Sequence, residues 1–467
     1  VSTTQTHPLR EVSDDPVALY ELSLAEGWGD GAPVLPPTPE RVGELLAATL
    51  FAPEDVLGAM PPRFGEVTVR AVAINAALAG VEPAAFGHVL EAVRGVLAED
   101  FAAVAITTTT SAAHPVLIAN GPSRERLGID AAGGCLGGAA GRGSMTIGRA
   151  VSLLLRNVGG QQAGATSKTV FGQPARFGLC FGEWEERSPW PSLAERAGIP
   201  AGLDAITVHA GVGTHALYDD QNSDPHDKAY MLAKGSCYFG NSVLQAGWRI
   251  GQFVLLVNPV WAERMGRVFP DIADLQAVLF GHAWEPLDAF PAAFQGFLEE
   301  RGHVDRGRVR LAQRPDQFVP VVAGGLGSHQ GVLLNSFGDT LLQTRPEPSP
   351  RAGHSAASPS SSSRGTRDGP ASAHCSRTTA RRSSKSRTST ARIPSAPSST
   401  SAWMFRCGSS PGAASAARRC RCALPRVSEP SAGCWRGPMW CSSIRATGCS
   451  RSGVCRWRRS PRRFRMP

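Results

Sequence analysis

At about residue 345 the chain changes character, and only the part before that point has the patterning of a packed domain. Residues 346–467 hold 23 Lys+Arg against 3 Asp+Glu, whereas residues 1–345 hold 25 against 36. Eight of the eleven cysteines also lie in the second part. Ser, Arg, Pro, Ala and Gly dominate it without a sustained helical or strand period, so it cannot bury enough apolar surface to offset chain entropy. Its cationic residues are Arg apart from Lys385, and Trp435, Trp440 and Trp457 recur without pattern. Two origins stay open. One is a GC-rich gene read in the wrong frame from just before residue 345, the reading the codon bias favours. The other is a genuine disordered basic arm able to bind nucleic acid or an anionic membrane. Val1 fits the first, as a GTG start read literally. The overall pI of about 9.2 comes from this tail and is no argument that the acidic body binds nucleic acid.

The expected organisation is an N-terminal arm (1–15), an α/β body (16–345) and the Arg/Ser/Pro-rich tail (346–467). Within the body, helical and strand-like stretches alternate throughout, which permits two similar halves, 16–200 and 201–345. Helical spacing covers Pro16–Glu26, Pro39–Leu50, Ala73–Ala79, Phe86–Leu97 and Ser223–Ala233. The run FAAVAITTTTSAAHPVLIANGP reads as two β-rich stretches, the second ending at Asn120-Gly121. Three scattered body cysteines, Cys135, Cys180 and Cys237, form no CxxC and no even framework, which points to a reducing cytoplasm. The charged N-terminal stretch has no apolar signal core, and no segment reaches membrane-spanning length, so a membrane association is not expected. A homo-oligomer stays open.

Gly133–Gly160, GGCLGGAAGRGSMTIGRAVSLLLRNVGG, is the first candidate site. Its glycines permit close approach of a ligand. Ser144 or Thr146 can cap a helix whose apolar face is Ile147, Val151, Leu154 and Leu155. Backbone N–H groups at that start, with Gly137, Gly138, Arg142 and Arg149 beside them, would favour an anion. Close helix–sheet packing explains the same glycines equally well, since no GKS/GKT or complete GxGxxG is present. A second glycine loop, Gly324-Gly325-Leu-Gly-Ser-His329, follows the apolar run Phe318–Val322, where ligands of open α/β sheets sit.

The densest polar segment carries His209, His215, Asp219, Asp220, Asp224, His226 and Asp227. Imidazole with carboxylate suits a divalent metal or acid–base chemistry, but the spacing matches no defined motif, and an exposed turn-rich loop explains it too. His209, His215, Asp219 and His226 are the metal candidates, and His215 and His329 the acid–base candidates. Cys237, near Lys234 in a glycine-containing stretch, is the thiol candidate. Trp28 and Asp30 in GWGDGAPVLPPT could face a ligand, and Glu183, Glu185 and Glu186 at a strand exit could act as base or ligand. No cofactor follows from these residues.

WGDGAPVLPPTPERV, NGPSRERLGI followed by TIGRAVSLLLRNVGG, FGQPARFGLCFGEWEERSPW and VVAGGLGSH together resemble long bacterial proteins of the UGSC-type (seleno)protein group. The resemblance spans nearly the whole body. It implies redox chemistry through a selenocysteine- or cysteine-Gly-Ser-Cys motif, expected downstream of the body. The chain departs from it: Lys234-Gly-Ser-Cys237 lacks the first chalcogen, and Cys407-Gly-Ser-Ser410 lacks the last. No redox pair is carried over. The expectation is an enzyme acting on a small anionic molecule by redox or acid–base chemistry. The alternatives are a non-catalytic metabolite-binding or partner subunit, and nucleic-acid binding through the tail.

Overall fold

The structure is a computed structural model and describes residues 12, 15–137, 141–221, 223–246, 250–327 and 329–347. Both candidate origins of the tail, and Cys407–Ser410, concern residues outside these. Helices and mixed sheets alternate along the body, an α/β architecture. The strands are β1 (Val56–Met60), β2 (Gly65–Thr68), β3 (His114–Asn120), β4 (Leu179–Gly182), β5 (Ala205–Tyr218), β6 (Phe253–Val257), β7 (Trp284–Pro286), β8 (Val304–Asp305), β9 (Arg308–Arg310), β10 (Phe318–Val322), β11 (Gln330–Ser336) and β12 (Gln343–Pro346). The helices that cover the main sheet are α1 (Val69–Ala79), α2 (Phe86–Val96), α3 (Arg142–Asn157), α4 (Pro225–Ser236), α5 (Pro259–Gly266) and α6 (Ile272–His282).

The main sheet has seven strands in the order β10-β6-β11-β5-β3-β4, with β12 beside the start of β5. Strand β5 is long enough to serve two neighbours on one edge: its first residues pair with β12 and its last with β11. The strands covered on both faces read as continuous apolar runs, FVLLV in β6 and FVPVV in β10. Pro320 is tolerated because β10 is an edge strand. Pro115 sits in β3 just before its pairing with β4 begins at Val116.

The connectivity repeats. In β3–β4–β5 a strand crosses over to a parallel outer neighbour, and the chain returns as an antiparallel inner strand; β6–β10–β11 does the same. The two inner strands, β5 and β11, pair antiparallel at the centre. A matching sequence repeat accompanies this: VLIANGPSRERLG from Val116 aligns without gaps on VLLVNPVWAERMG from Val254. By connectivity β5 completes the first unit, so that unit runs past residue 200 to Tyr218.

The sheet curls until its edges approach. Trp184 N–H donates to the Val322 carbonyl at 2.6 Å, and Arg196 donates to the Pro320 carbonyl at 2.7 Å. Val116, Ile118, Leu179, Phe181, Val254, Leu256, Val319 and Val321 thereby meet in one interior cluster. The opposite face of β3 and β5 is covered by α1, α2 and α3, and that of β6 and β10 by α4, α5 and α6. Helix α3 lies very close to β4. A Cβ on Gly148 would stand 2.7 Å from Leu179 N, and one on Gly178, at φ +111°, 2.2 Å from Arg149 N.

Several local expectations change. Residues 103–108 are helical, not extended; Thr107 and Thr108 turn their hydroxyls back onto the Ala103 and Val104 carbonyls, which satisfies them inside a helix. Helix α3 begins at Arg142, so neither Ser144 nor Thr146 caps it: Ser144 Oγ accepts from Asp130 N–H, and Thr146 Oγ1 donates to the Arg142 carbonyl. Strand β4 starts only at Leu179, after the turn at Gly178, and the short helix that follows is capped by Ser192, with Glu195 completing a capping box.

Candidate functional site

The two glycine loops meet. The first follows β3 and the turn after it; the second follows β10. Gly324 N–H donates to the Ala131 carbonyl at 2.8 Å, and a Cβ on Gly325 would lie 3.4 Å from Gly133 Cα. Gly324 itself sits at φ +98°, a left-handed conformation that favours glycine. Between them and the carboxyl ends of β6 and β10 lies a cleft of about 390 Å³. Its walls include the backbone of Gly134–Gly137 and Gly324–Gly325, the apolar side chains of Leu136, Leu256, Ala323 and Val332, and Cys135, Asn258 and Gln330. Asn258 caps α5 through Oδ1 to Trp261 N–H, and its Nδ2 donates to the Gln330 carbonyl. Gly138 lies outside the described residues.

The arginines expected at this loop are elsewhere. Arg149 forms a bidentate pair with Asp30 at 2.7 and 2.8 Å and also donates to the Ala32 carbonyl. The Asp30 carboxyl, which burial would raise, is held below its ordinary value by the Arg149 hydrogen bond and charge together with backbone N–H groups. Arg142 donates to the Gly80 carbonyl and lies 3.7 Å from Glu82. Arg156 donates to Gly27. These side chains fasten N-terminal loops to α3, and Asp30 and Trp28 serve that fastening instead of facing a ligand. At the start of α3, Gly143 and Ser144 donate their N–H groups to the carbonyls of Leu127 and Gly128. The anion site expected at that helix start is therefore already filled by backbone.

Cys237 is 1 % exposed; burial, then Glu285, push its thiol up to about 12, more than Lys234 lowers it. Lys234 instead lies over the Trp284 ring and donates to the Trp284 carbonyl. The reactive-thiol reading of Cys237 is overturned by its burial. Cys135 is the thiol of the cleft. Burial and Asp130 raise it to about 11 although the N–H of Gly324 favours its charged form, so it is a protonated thiol at neutral pH.

The histidine segment disperses. His209 is buried on β5, with Nε2 3.1 Å from the Leu334 carbonyl, and burial lowers it to about 4. His215 stacks on Tyr238 at 4.2 Å. His226 meets Phe269 edge-on. Asp219 pairs with buried Lys228 at 3.6 Å. Among the described residues no three His, Cys, Asp or Glu side chains converge as metal ligands. His329 is exposed, edge-on to Tyr218, and does not line the cleft.

The partners of Glu183, Glu185 and Glu186, and a second cluster altogether, escaped sequence reading. At the carboxyl ends of β3 and β4, Asn120 Nδ2 donates to Glu183 Oε2 and Glu185 Oε1, both at 2.7 Å. Glu183 also accepts from Leu193 N–H and lies 3.8 Å from Arg196; burial, the largest influence, nonetheless raises its carboxyl. Arg124 pairs with Glu186 and Glu185. Elsewhere His88 Nε2 lies 3.0 Å from Ser123 Oγ, and His88 Nδ1 3.0 Å from Glu347 Oε2, in a contact whose angle is wrong for a hydrogen bond. The order resembles a serine-hydrolase relay, but Ser123 is 1 % exposed and a nucleophile must be reachable. It ties the end of β12 to α2. Leu193 and Arg196 apart, the partners come from segments 35 to 259 residues apart, so no local spacing announces them.

No known family, curated protein or solved structure matches this chain.

Proposed function

We infer that the chain binds a small anionic molecule in the cleft between its two glycine loops, as a metabolite-binding protein. The observation that carries this is the convergence of both loops at the carboxyl ends of the parallel pair β6–β10, around a space within the size range of small-molecule sites. Backbone dipoles and Asn258 supply the polar contacts, and Leu256 and Val332 the apolar wall. Binding is favoured over the redox or acid–base enzyme because the cleft's titratable group, Cys135, is held as a neutral thiol, while Cys237, His215 and His329 stand elsewhere. The reading includes a reducing, cytoplasmic setting, supported by the three free body cysteines. Among the described residues no helix is long and apolar enough to cross a membrane.

The test compares thermal unfolding of the full chain with that of Val332→Trp, whose indole would fill the cleft, across a panel of small anions. Compounds that raise the midpoint of the parent and leave the variant unmoved are expected. Equal shifts in both proteins would place binding outside the cleft.

A further inference from the structure

The repeated strand unit contains two equivalent crevices, and one is occupied by the protein itself. The equivalence is fixed by backbone: Glu183 N–H donates to the Ala119 carbonyl at 3.0 Å, and Ala323 N–H to the Val257 carbonyl at 3.2 Å. Asn120 and Asn258 follow those two acceptors in the gap-free repeat. Counting onward, Glu183 corresponds to Ala323, Trp184 to Gly324 and Glu185 to Gly325. In the first unit, then, two carboxylates converge on the amide of Asn120. In the second, the corresponding side chains are a methyl and a hydrogen, and the space beside Asn258 is the cleft, with Ala323, Gly324 and Gly325 on its wall.

We propose that the cleft's ligand carries a carboxylate, which takes the position that Glu183 or Glu185 fills in the first unit. This rests on the cleft being the ligand site. One amide hydrogen of Asn258 is committed to Gln330, and an NH₂ group has two. The second is the counterpart of the Asn120 donor. The units differ in two respects that shape the ligand. Position 259 is proline, so the N–H that Gly121 gives Glu185 has no equivalent. Arg124 corresponds to Ala262, so no guanidinium balances the charge from that position. The carboxylate is therefore held by neutral donors, with Leu136, Leu256 and Val332 against the ligand's apolar part.

Cys135 reports occupancy because it lines the same cleft. The rate of its alkylation by iodoacetamide at mildly alkaline pH, read by site-resolved mass spectrometry on the full chain, is expected to fall several-fold with sodium propionate. Propionamide, the uncharged isostere, is expected to leave it unchanged at equal ionic strength. Gly325→Glu supplies a tethered carboxylate from the position of Glu185, where a Cβ meets ordinary contact distances. It should slow the alkylation without propionate and abolish the propionate effect, whereas Gly325→Gln should behave as the parent. Equal protection by propionate and propionamide overturns the carboxylate and leaves the cleft as a binding site. No protection by either, with undiminished labelling in Gly325→Glu, overturns both. The parent comparison decides alone if the variant does not fold.

Discussion

Arg149 shows how one residue's partners decide its role. Its bidentate pair with Asp30 has both side chains less than a fifth exposed, so removing one partner leaves a poorly solvated charge. Arg149→Met is expected to lower unfolding free energy by about 2 kcal/mol in denaturant titration, without altering occupancy of the cleft. Cys135 makes a second residue-level prediction. With its thiol near 11, its alkylation rate should climb about tenfold per pH unit between neutrality and that value, and Cys237, nearly inaccessible, should remain unlabelled until the protein unfolds. The sequence showed that Arg142, Arg149 and Arg156 recur on one helix of an acidic body. It could not show that Gly80, Asp30 and Gly27 wait for them, because those contacts join segments over sixty residues apart. The same limit hid Cys135, whose place in the cleft is set by a backbone crossing and not by its neighbours in sequence.

At the level of elements, local chemistry was most legible where it is self-contained. The apolar run Phe318–Val322 is β10 over those same residues, and Asp271 caps α6 by accepting from Ala273 N–H two positions on. Residues 103–108 failed because β-branched content favours strands only where a sheet receives them, and here hydroxyl back-bonding lets Thr107 and Thr108 end a helix. Of the two readings of the Gly133–Gly160 stretch, packing describes Gly148, which serves the α3–β4 contact, while Gly134 and Gly137 line the cleft where ligand approach is proposed. Gly148→Leu should therefore cost about 3 kcal/mol or more, since it forces side-chain atoms into the backbone at Leu179. Circular dichroism melting checks this, and a shift below about 1 kcal/mol would mean that α3 can move away from the strand.

For the whole molecule, buried titratable groups bound the pH range of greatest stability. His114 and His209 are held neutral to about 3 and about 4, so between their ordinary range near 6.5 and those values the unfolded chain binds more protons, and stability falls as pH falls. Cys135, Cys180 and Cys237 are raised to about 11, 12 and 12. Above the ordinary thiol value of about 9 the unfolded chain releases protons that the folded chain retains, so stability falls as pH rises. The loss approaches about 1.4 kcal/mol per pH unit for each thiol in that window. Unfolding midpoints measured across pH should form a plateau from about 6.5 to 9, and replacement of Cys180 by Ala should make the alkaline limb shallower.

The paired crevices also divide the molecule by how freely it can change. Residues 183–186 each engage a partner in a closed set of donors and acceptors, so random substitution there should be purged in a selection for folded protein. Gly325 and Gly327 border the cleft and Leu326 is exposed, so a library at codons 325–327 should retain many folded members. One repeat is thus closed scaffold, and the other is the part of the chain where a binding specificity could be raised without rebuilding the sheet.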